Sequence, residues 1–341
     1  MEILLTGASG FAGAHMLKFL MQNTSSSVTC PVTYKHGGHQ DRIPAILPIG
    51  YESRFELVNL DLTDLNQLDS LKFSKFDLII NFASESHVDR SIAEPLAFTA
   101  NNSDLMINLL EKTRKIKGLP FIHLSTDEVY GAIPRNETNY EWERVHLPSN
   151  PYSASKSAQE SLAVAYFKTY GIPICIINAT NMLGEAQNQE KFIPKVVSRI
   201  SNEELVSIDT DDLGTIGTRK YLDVSDVARA VWVSSETLKQ HKDLNRRPDL
   251  PLKVHISGSE EISNKEVVEI IGKEMNRTPM MQISPSPRPG YDLRYELSSS
   301  IAEKIGWVAS GDIRNRIAEV CRWTLKNPAW LKNDHNSKAR Y

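Results

Sequence analysis

The chain has little cysteine. Its three thiols, Cys30, Cys175 and Cys321, lie too far apart for a disulfide framework or a zinc site, so no metal is expected. So few thiols point to a reducing compartment. An excess of one charge is also missing. Lys plus Arg number 39 against 42 for Asp plus Glu, a net of −3, which lacks the basic footprint of a nucleic-acid binder. No run of like charges is long enough for an interaction tail, and no repeat or low-complexity segment is evident. No apolar stretch is long enough to span a bilayer, so no membrane partner is expected. The chain opens straight into strand-like Glu2-Ile3-Leu4-Leu5 without the pattern of a secretory leader, and a cytoplasmic protein is the expectation. What remains is a chain of 341 residues, 40 % hydrophobic, long enough for one large domain or two.

The stretch that carries most chemistry is Ser125-Thr126-Asp127-Glu128-Val129-Tyr130-Gly131. It follows an apolar run, Leu119 to Leu124, short enough to be a buried parallel strand. Such a strand delivers two hydroxyls and two carboxylates to the sheet edge where ligands bind in open α/β folds. Adjacent carboxylates can act as acid and base if their surroundings separate their pKa values. Taken alone, a solvated loop exit would read the same way.

Other stretches give that edge its company. Ile3-Leu4-Leu5 reads as a strand, and Phe11, Ala14, Met16, Leu17 and Leu20 repeat with helical spacing. Between them lie Gly7, Gly10 and Gly13, which let the backbone turn tightly and bring a helix N-terminus to a pyrophosphate. The spacing is GxxGxxG rather than GxGxxG. The next strand reaches Cys30 without the acid that would hold the ribose of NAD, and Lys35, His36 and Arg42 follow. These basic residues suit the 2′-phosphate of NADP or else sit on a solvated loop, so the cofactor choice stays open. Asp61, after a third strand from Phe55 to Leu60, reaches the adenine or caps the following helix. A fourth strand, Asp77 to Ala83, and a helix from Pro95 to Lys115 complete a βα alternation typical of a doubly wound sheet. Asn150-Pro151 opens a helix over 152–170 that ends at Gly171 and Pro173. Tyr152 and Lys156 share one face of it, where an ammonium beside a phenol favours the phenolate and makes a base. Ile174 to Ala179 is a sixth strand, and a strand–helix unit over 221–238 is expected to rejoin the sheet. Short elements around Lys253–Ser257 follow, then helices over 264–276 and 313–325.

With these motifs placed, the chain resembles the extended short-chain dehydrogenase/reductases, and among them the dTDP-glucose 4,6-dehydratases and relatives acting on other nucleotide sugars. The likeness rests on TGASGFAG from Thr6, NFASESHVDRSI from Asn81, HLSTDEVYG from His123 and NPYSASK from Asn150. EKFIP from Glu190, RKYLDVSDVARA from Arg219 and RPGYDLRY from Arg288 extend it over nearly the whole length. It implies an α/β fold, a Rossmann-like doubly wound parallel sheet with a smaller mixed α/β substrate-binding domain. Residues 1–180 and 222–256 would form the first, 181–221 and 257–331 the second, and 332–341 a polar tail. It implies a lyase converting an NDP-hexose, dTDP- or UDP-glucose, to the 4-keto-6-deoxy sugar with NAD, NADP remaining open. An epimerase or a dehydratase of altered regiochemistry is the alternative on the same fold, and a catalytically silent nucleotide-binding protein the alternative outside it.

By the same resemblance Thr126, Asp127, Glu128, Tyr152 and Lys156 are the catalytic set. Cofactor contacts fall to Gly7, Gly10, Phe11, Ala12, Gly13, Lys35, Asp61, Leu62, Ala83, Ser84, Tyr152, Lys156 and Met182. Nucleotide-sugar contacts fall to Ser86, Thr126, Asn181, Lys191, Phe192, Arg219, His255, Arg288 and Tyr291. A homodimer through the 95–115 and 152–170 helices is expected. The chain departs from the pattern at Cys30, Asn178, Met182, Arg219-Lys220-Tyr221 and His255, in the surroundings of ribose, base and sugar rather than in the catalytic set.

Overall fold

The computed structural model describes residues 1–134, 136–142, 145–238, 247–287 and 291–331. Its centre is a seven-stranded sheet. In chain order the strands are β1 (Glu2–Thr6), β2 (Ser27–Val32), β3 (Phe55–Asn59), β4 (Leu78–Asn81), β5 (Phe121–Thr126), β6 (Ile174–Ala179) and β7 (Leu252–Ile256). Their spatial order is β7-β6-β5-β4-β1-β2-β3, and every pair is parallel. The order reverses between β1 and β4, so the crevice outside their carboxyl ends is the natural ligand site.

The central strands are largely apolar and almost wholly buried because helices cover both faces. On one face Phe11–Asn23 and Val224–Thr237 pack with Leu5, Ile80, Ile177 and Val254, and on the other Pro95–Thr113 and Pro151–Tyr170 enclose Ile79, Phe121, Ile174 and Ile176. The helix Pro151–Tyr170 starts where its sequence says it should. The Asn150 side chain accepts from the backbone N–H of Ser153, the Ser153 side chain answers the Asn150 backbone, and Pro151 fills the first turn. It ends at Gly171, whose φ of 67° is the left-handed stop.

The 221–238 unit differs from expectation. Leu222–Asp223 is too short to join the main sheet and pairs instead with Met182–Leu183 in a separate two-stranded ribbon. The seventh strand is β7, beside β6. Its sequence, Leu252-Lys253-Val254-His255-Ile256, alternates like a half-exposed strand, yet all five residues are buried. The lysine and histidine are absorbed by a polar network inside the protein, which sequence alone does not reveal.

A third apolar cluster, including Ile193, Val197, Ile208, Val268 and Ile317, gathers the elements around the far side of the crevice. These include the helices Phe192–Ser201, Asn264–Glu274 and Ile313–Lys326. Among the described residues no helix is long and apolar enough to cross a membrane, and no His/Cys/Asp/Glu cluster could hold a metal.

Candidate active site

A cavity of about 1210 Å³ runs along the carboxyl ends of β1, β4 and β5 toward the helix Phe192–Ser201. It is lined by every candidate residue except two. His255 is fully buried away from it, sharing a 2.7 Å hydrogen bond between its Nε2 and the Tyr130 hydroxyl, so the expected contact with a nucleotide is not made. Arg288 lies outside the described residues.

At one end the glycine loop is built by close contact. Gly7 has φ +73°, and a Cβ there would lie 2.7 Å from the Ala83 nitrogen. A Cβ on Gly13 would lie 2.1 Å from the Gly7 carbonyl oxygen. The helix Phe11–Asn23 has no acidic residue in its first turn and no side-chain cap, which leaves its N-terminal N–H groups facing the cleft for an anion. Phe11 and Ala12 belong to that turn, and Leu62, Ala83 and Ser84 line the neighbouring wall.

The basic residues after β2 are engaged. Lys35 Nζ lies 2.8 Å from Asp61 Oδ2. Burial raises the Asp61 pKa, but hydrogen bonds from Lys35 and Thr63 outweigh it and bring the carboxyl down to about 2. His36 faces Glu85 at 3.0 Å, and the buried Arg42 donates to the carbonyls of Ser9, Gly37 and Ala186.

The reactive middle is set by the end of β5. Thr126 caps the turn Asp127–Tyr130, its hydroxyl accepting from the Glu128 N–H at 3.3 Å and donating to Asp127 Oδ1 at 3.1 Å. Asp127 is buried, and its Oδ2 has no hydrogen-bond partner. Burial first, then the neighbouring Glu128 charge, push its pKa up to about 7. Burial also raises Glu128, but Arg219, the Asn150 amide and Lys191 favour its charged form. Both carboxyls are raised, but their surroundings differ in the sense an acid–base pair requires, an anion beside Asp127 and cations beside Glu128.

Tyr152 and Lys156 do not pair as the spacing predicted. Lys156 Nζ donates to the Leu124 carbonyl at 2.7 Å and to Gln159 Oε1 at 2.8 Å. Burial lowers it to about 7. The Tyr152 phenol is pushed up by burial and by the Glu128 charge, against a hydrogen bond with Thr126 that favours ionisation. Burial, more than the neighbouring anions, keeps the tyrosine protonated here, and the expected lowering by lysine is not met because the ammonium is turned to Leu124 and Gln159.

At the far end Lys191 Nζ reaches across to the Ser86 carbonyl at 2.8 Å. The Arg219 guanidinium is fixed over the Tyr295 ring at 4.9 Å by the carbonyls of Thr218, Asp292 and Leu293. Asn181, Met182, Phe192 and Tyr291 complete this wall, and Asn181 Oδ1 is buried without a hydrogen-bond partner. Sequence reasoning passed over Asn150, Asp292 and Tyr295, although all three lie inside motifs it used. It also passed over Trp330, which lines the cleft from the C-terminal turn Pro328–Leu331 and packs on His39 and Arg42. No local pattern marks that residue; only the return of the chain to the glycine loop does.

The profile of the NAD dependent epimerase/dehydratase family matches residues 3–245. A dTDP-glucose 4,6-dehydratase of Escherichia coli is 31 % identical over 98 % of this chain and 95 % of its own length. That of Actinoplanes sp. is 31 % identical over 97 % and 99 %. Among solved structures, the dTDP-glucose 4,6-dehydratase DesIV of Streptomyces venezuelae, with NAD bound, superposes with a TM-score of 0.86. It is 27 % identical and covers 97 % of this chain and 100 % of that one.

Proposed function

We propose that this chain, which belongs to the NAD dependent epimerase/dehydratase family, is a nucleotide-sugar 4,6-dehydratase. Its substrate is a nucleoside diphosphate glucose, dTDP-glucose or UDP-glucose, and its product the 4-keto-6-deoxy sugar with loss of water. The observation that carries this reading is Asp127, a buried carboxyl held protonated up to about pH 7 beside Glu128, in one cleft with Tyr152 and Lys156. Full-length likeness to dTDP-glucose 4,6-dehydratases supports it.

The cleft suits NAD on its own geometry. The glycine contacts let a pyrophosphate approach the uncapped helix, and the unpartnered Asn181 oxygen waits farther in. A 2′-phosphate near Lys35 would meet the Asp61 carboxylate that already holds this lysine, which favours NAD over NADP. When bound, NAD would supply a hydride acceptor for sugar carbon 4 and a hydride donor for carbon 6, and in its oxidised form a positive charge. Tyr152, as the phenolate that the cofactor's positive charge would favour, would take the proton of the 4-hydroxyl, with Thr126 hydrogen-bonding that oxygen and Lys156 holding the nicotinamide ribose. The 4-ketone acidifies the proton on carbon 5, which Glu128 would remove and, once the hydride has reached carbon 6, return to carbon 5. Asp127 protonates the departing 6-hydroxyl. Arg219 and Lys191 sit where a diphosphate would be met.

Glu128 must be ionised while Asp127 and Lys156 stay protonated, so kcat/KM should follow a bell in pH. Its alkaline limb is expected near 7, where both acids titrate, and its acid limb above the usual carboxylate range because burial raises Glu128. A profile still flat well above neutrality would remove Asp127 as the acid.

The deciding assay gives the purified protein glucose and N-acetylglucosamine nucleotides without added reductant. Loss of one water and a new methyl proton signal name the substrate. Unchanged mass with an inverted carbon means an epimerase. Nucleotide binding without any conversion means a silent binder. We also place the protein in the cytoplasm, as its three free cysteines suit, and pair it as a homodimer through the helices Pro95–Thr113 and Pro151–Tyr170. Light scattering at monomer mass would remove the dimer, and recovery of the protein outside the cytoplasmic fraction would remove the location.

A further inference from the structure

Behind the cleft floor lies a charge pair that the proposed reaction does not use. Glu160 stands one helical turn beyond Lys156, and its Oε2 lies 2.7 Å from Lys253 Nζ on β7. Both side chains are 1 % exposed. Taking two charges out of water is costly, and an apolar pair of similar volume would often serve stability as well or better. The geometry shows what the charges hold. Glu160 Oε1 accepts from the Ser125 hydroxyl and, at 2.7 Å, from Asn178 Nδ2. The same Asn178 nitrogen donates to the Thr126 carbonyl at 2.9 Å. Lys253 is itself fixed between the Trp142 and Tyr130 rings, 4.5 and 4.9 Å from their centres. His146 Nε2 lies 3.4 Å from both members of the pair.

We propose that Glu160, neutralised by Lys253, is a positioning residue: through Ser125 and Asn178 it holds the strand end bearing Thr126 and Asp127 in register with the helix bearing Tyr152 and Lys156. This rests on the dehydratase reading above. It joins the two halves of the reaction, hydride removal at carbon 4 and elimination across carbons 5 and 6, whose groups come from different elements.

The pair also acts on Lys156 through space. The groups facing its ammonium are the Leu124 carbonyl and His123 of β5, the latter at 3.5 Å, with Gln159 and Glu160 from its own helix. His123 is kept neutral by burial and by Lys156 itself. Burial favours neutral Lys156, and the Glu160 charge opposes it. Removing Glu160 therefore moves the Lys156 titration down, and the orphaned Lys253 ammonium behind it adds repulsion. Removing Lys253 leaves Glu160 unbalanced and moves the titration up.

The test is the pH profile of kcat/KM for wild type, Glu160→Gln, Lys253→Met and the double variant, with a thermal melt for each. The Lys156 titration, followed by 13C, should shift by about half a unit or more, downward in E160Q and upward in K253M, with the double variant between them. The alkaline limb should follow it down in E160Q, while in K253M Asp127 still sets the limb near 7. A merely structural role would lower activity without opposite shifts, and Lys156 titrations that stay together or move the same way overturn the proposal. Should the single variants not fold, the double variant and Ser125→Ala carry the test. S125A keeps the ion pair and loses one strap, so kcat should fall about tenfold with little change in KM or in the limb. Wild-type kcat in S125A overturns the clamp. Selective 13C labelling of lysine follows Lys156 ionisation without any substrate. If wild type converts no nucleotide sugar, the dehydratase reading fails first. Opposite shifts of the Lys156 resonance would still show the electrostatic part, and unshifted resonances would sink it too.

Discussion

Asp127→Asn is expected to lower turnover of the nucleotide sugar by about 10²–10⁴-fold, the range for loss of a positioned general acid. The first hydride transfer should survive, because Tyr152 and Lys156 remain. The variant should therefore stall after oxidation at carbon 4. Mixing it with substrate should produce the near-ultraviolet absorbance of reduced nicotinamide without a matching amount of deoxy product. If the variant makes product at the wild-type rate, Asp127 is not the acid. A stability effect should accompany the loss. The Asp127 pKa is about 7 in the fold against a reference of 3.8, with burial the leading cause. Between those values the unfolded chain ionises while the native carboxyl stays protonated, so native stability falls as pH rises through the window and stays low above it. Asn removes that cost, and D127N should melt higher than wild type above neutrality, the difference closing in acid. The acid group thus costs the fold stability where its chemistry is wanted.

Tyr152→Phe is expected to cost about 10³-fold or more in both half-reactions, because no group then takes the 4-hydroxyl proton and nothing downstream can begin. Neither reduced nicotinamide nor deoxy product should form. The phenyl ring keeps the edge contact with Phe98, whose ring centre lies 6.3 Å away, so the fold and nucleotide binding should persist. Calorimetric titration with a nucleoside diphosphate checks the second point. Reduced nicotinamide accumulating in Y152F at the wild-type rate would move the proton acceptor elsewhere, with Glu128 the next carboxylate to test.

Much of the site was legible because its parts are local. Three glycines between a strand and a helix make a phosphate cradle wherever the chain places them, and the close contacts at Gly7 and Gly13 bear out the need for glycine. Asn150 and Pro151 start a helix by their own side-chain chemistry, which fixes Tyr152 and Lys156 on one face. Thr126-Asp127-Glu128 follows an apolar run, and a buried parallel strand delivers it to the ligand edge. The runs of Ile, Leu and Val were enough to foresee six strands of the sheet, though not the seventh.

What escaped was settled by distant parts of the chain. Around Lys253 the sequence offered only short elements, and the resemblance gave His255 to the nucleotide sugar, but β7 inserts beside β6 and presents both to Glu160, Tyr130 and Trp142, more than 80 residues away. Spacing placed Lys156 beside Tyr152, yet only the packing of its helix against β5 shows the ammonium held by Leu124 and Gln159. Lys35 invited a 2′-phosphate until β3 brought Asp61 to within 2.8 Å. By itself the sequence determined the kinds of groups present and the strands, turns and helices that carry them, since propensity, caps and hydrophobic period act over a few residues. The tertiary structure alone decided which of those groups are charged, because desolvation and Coulomb interaction depend on what comes near them in space rather than along the chain.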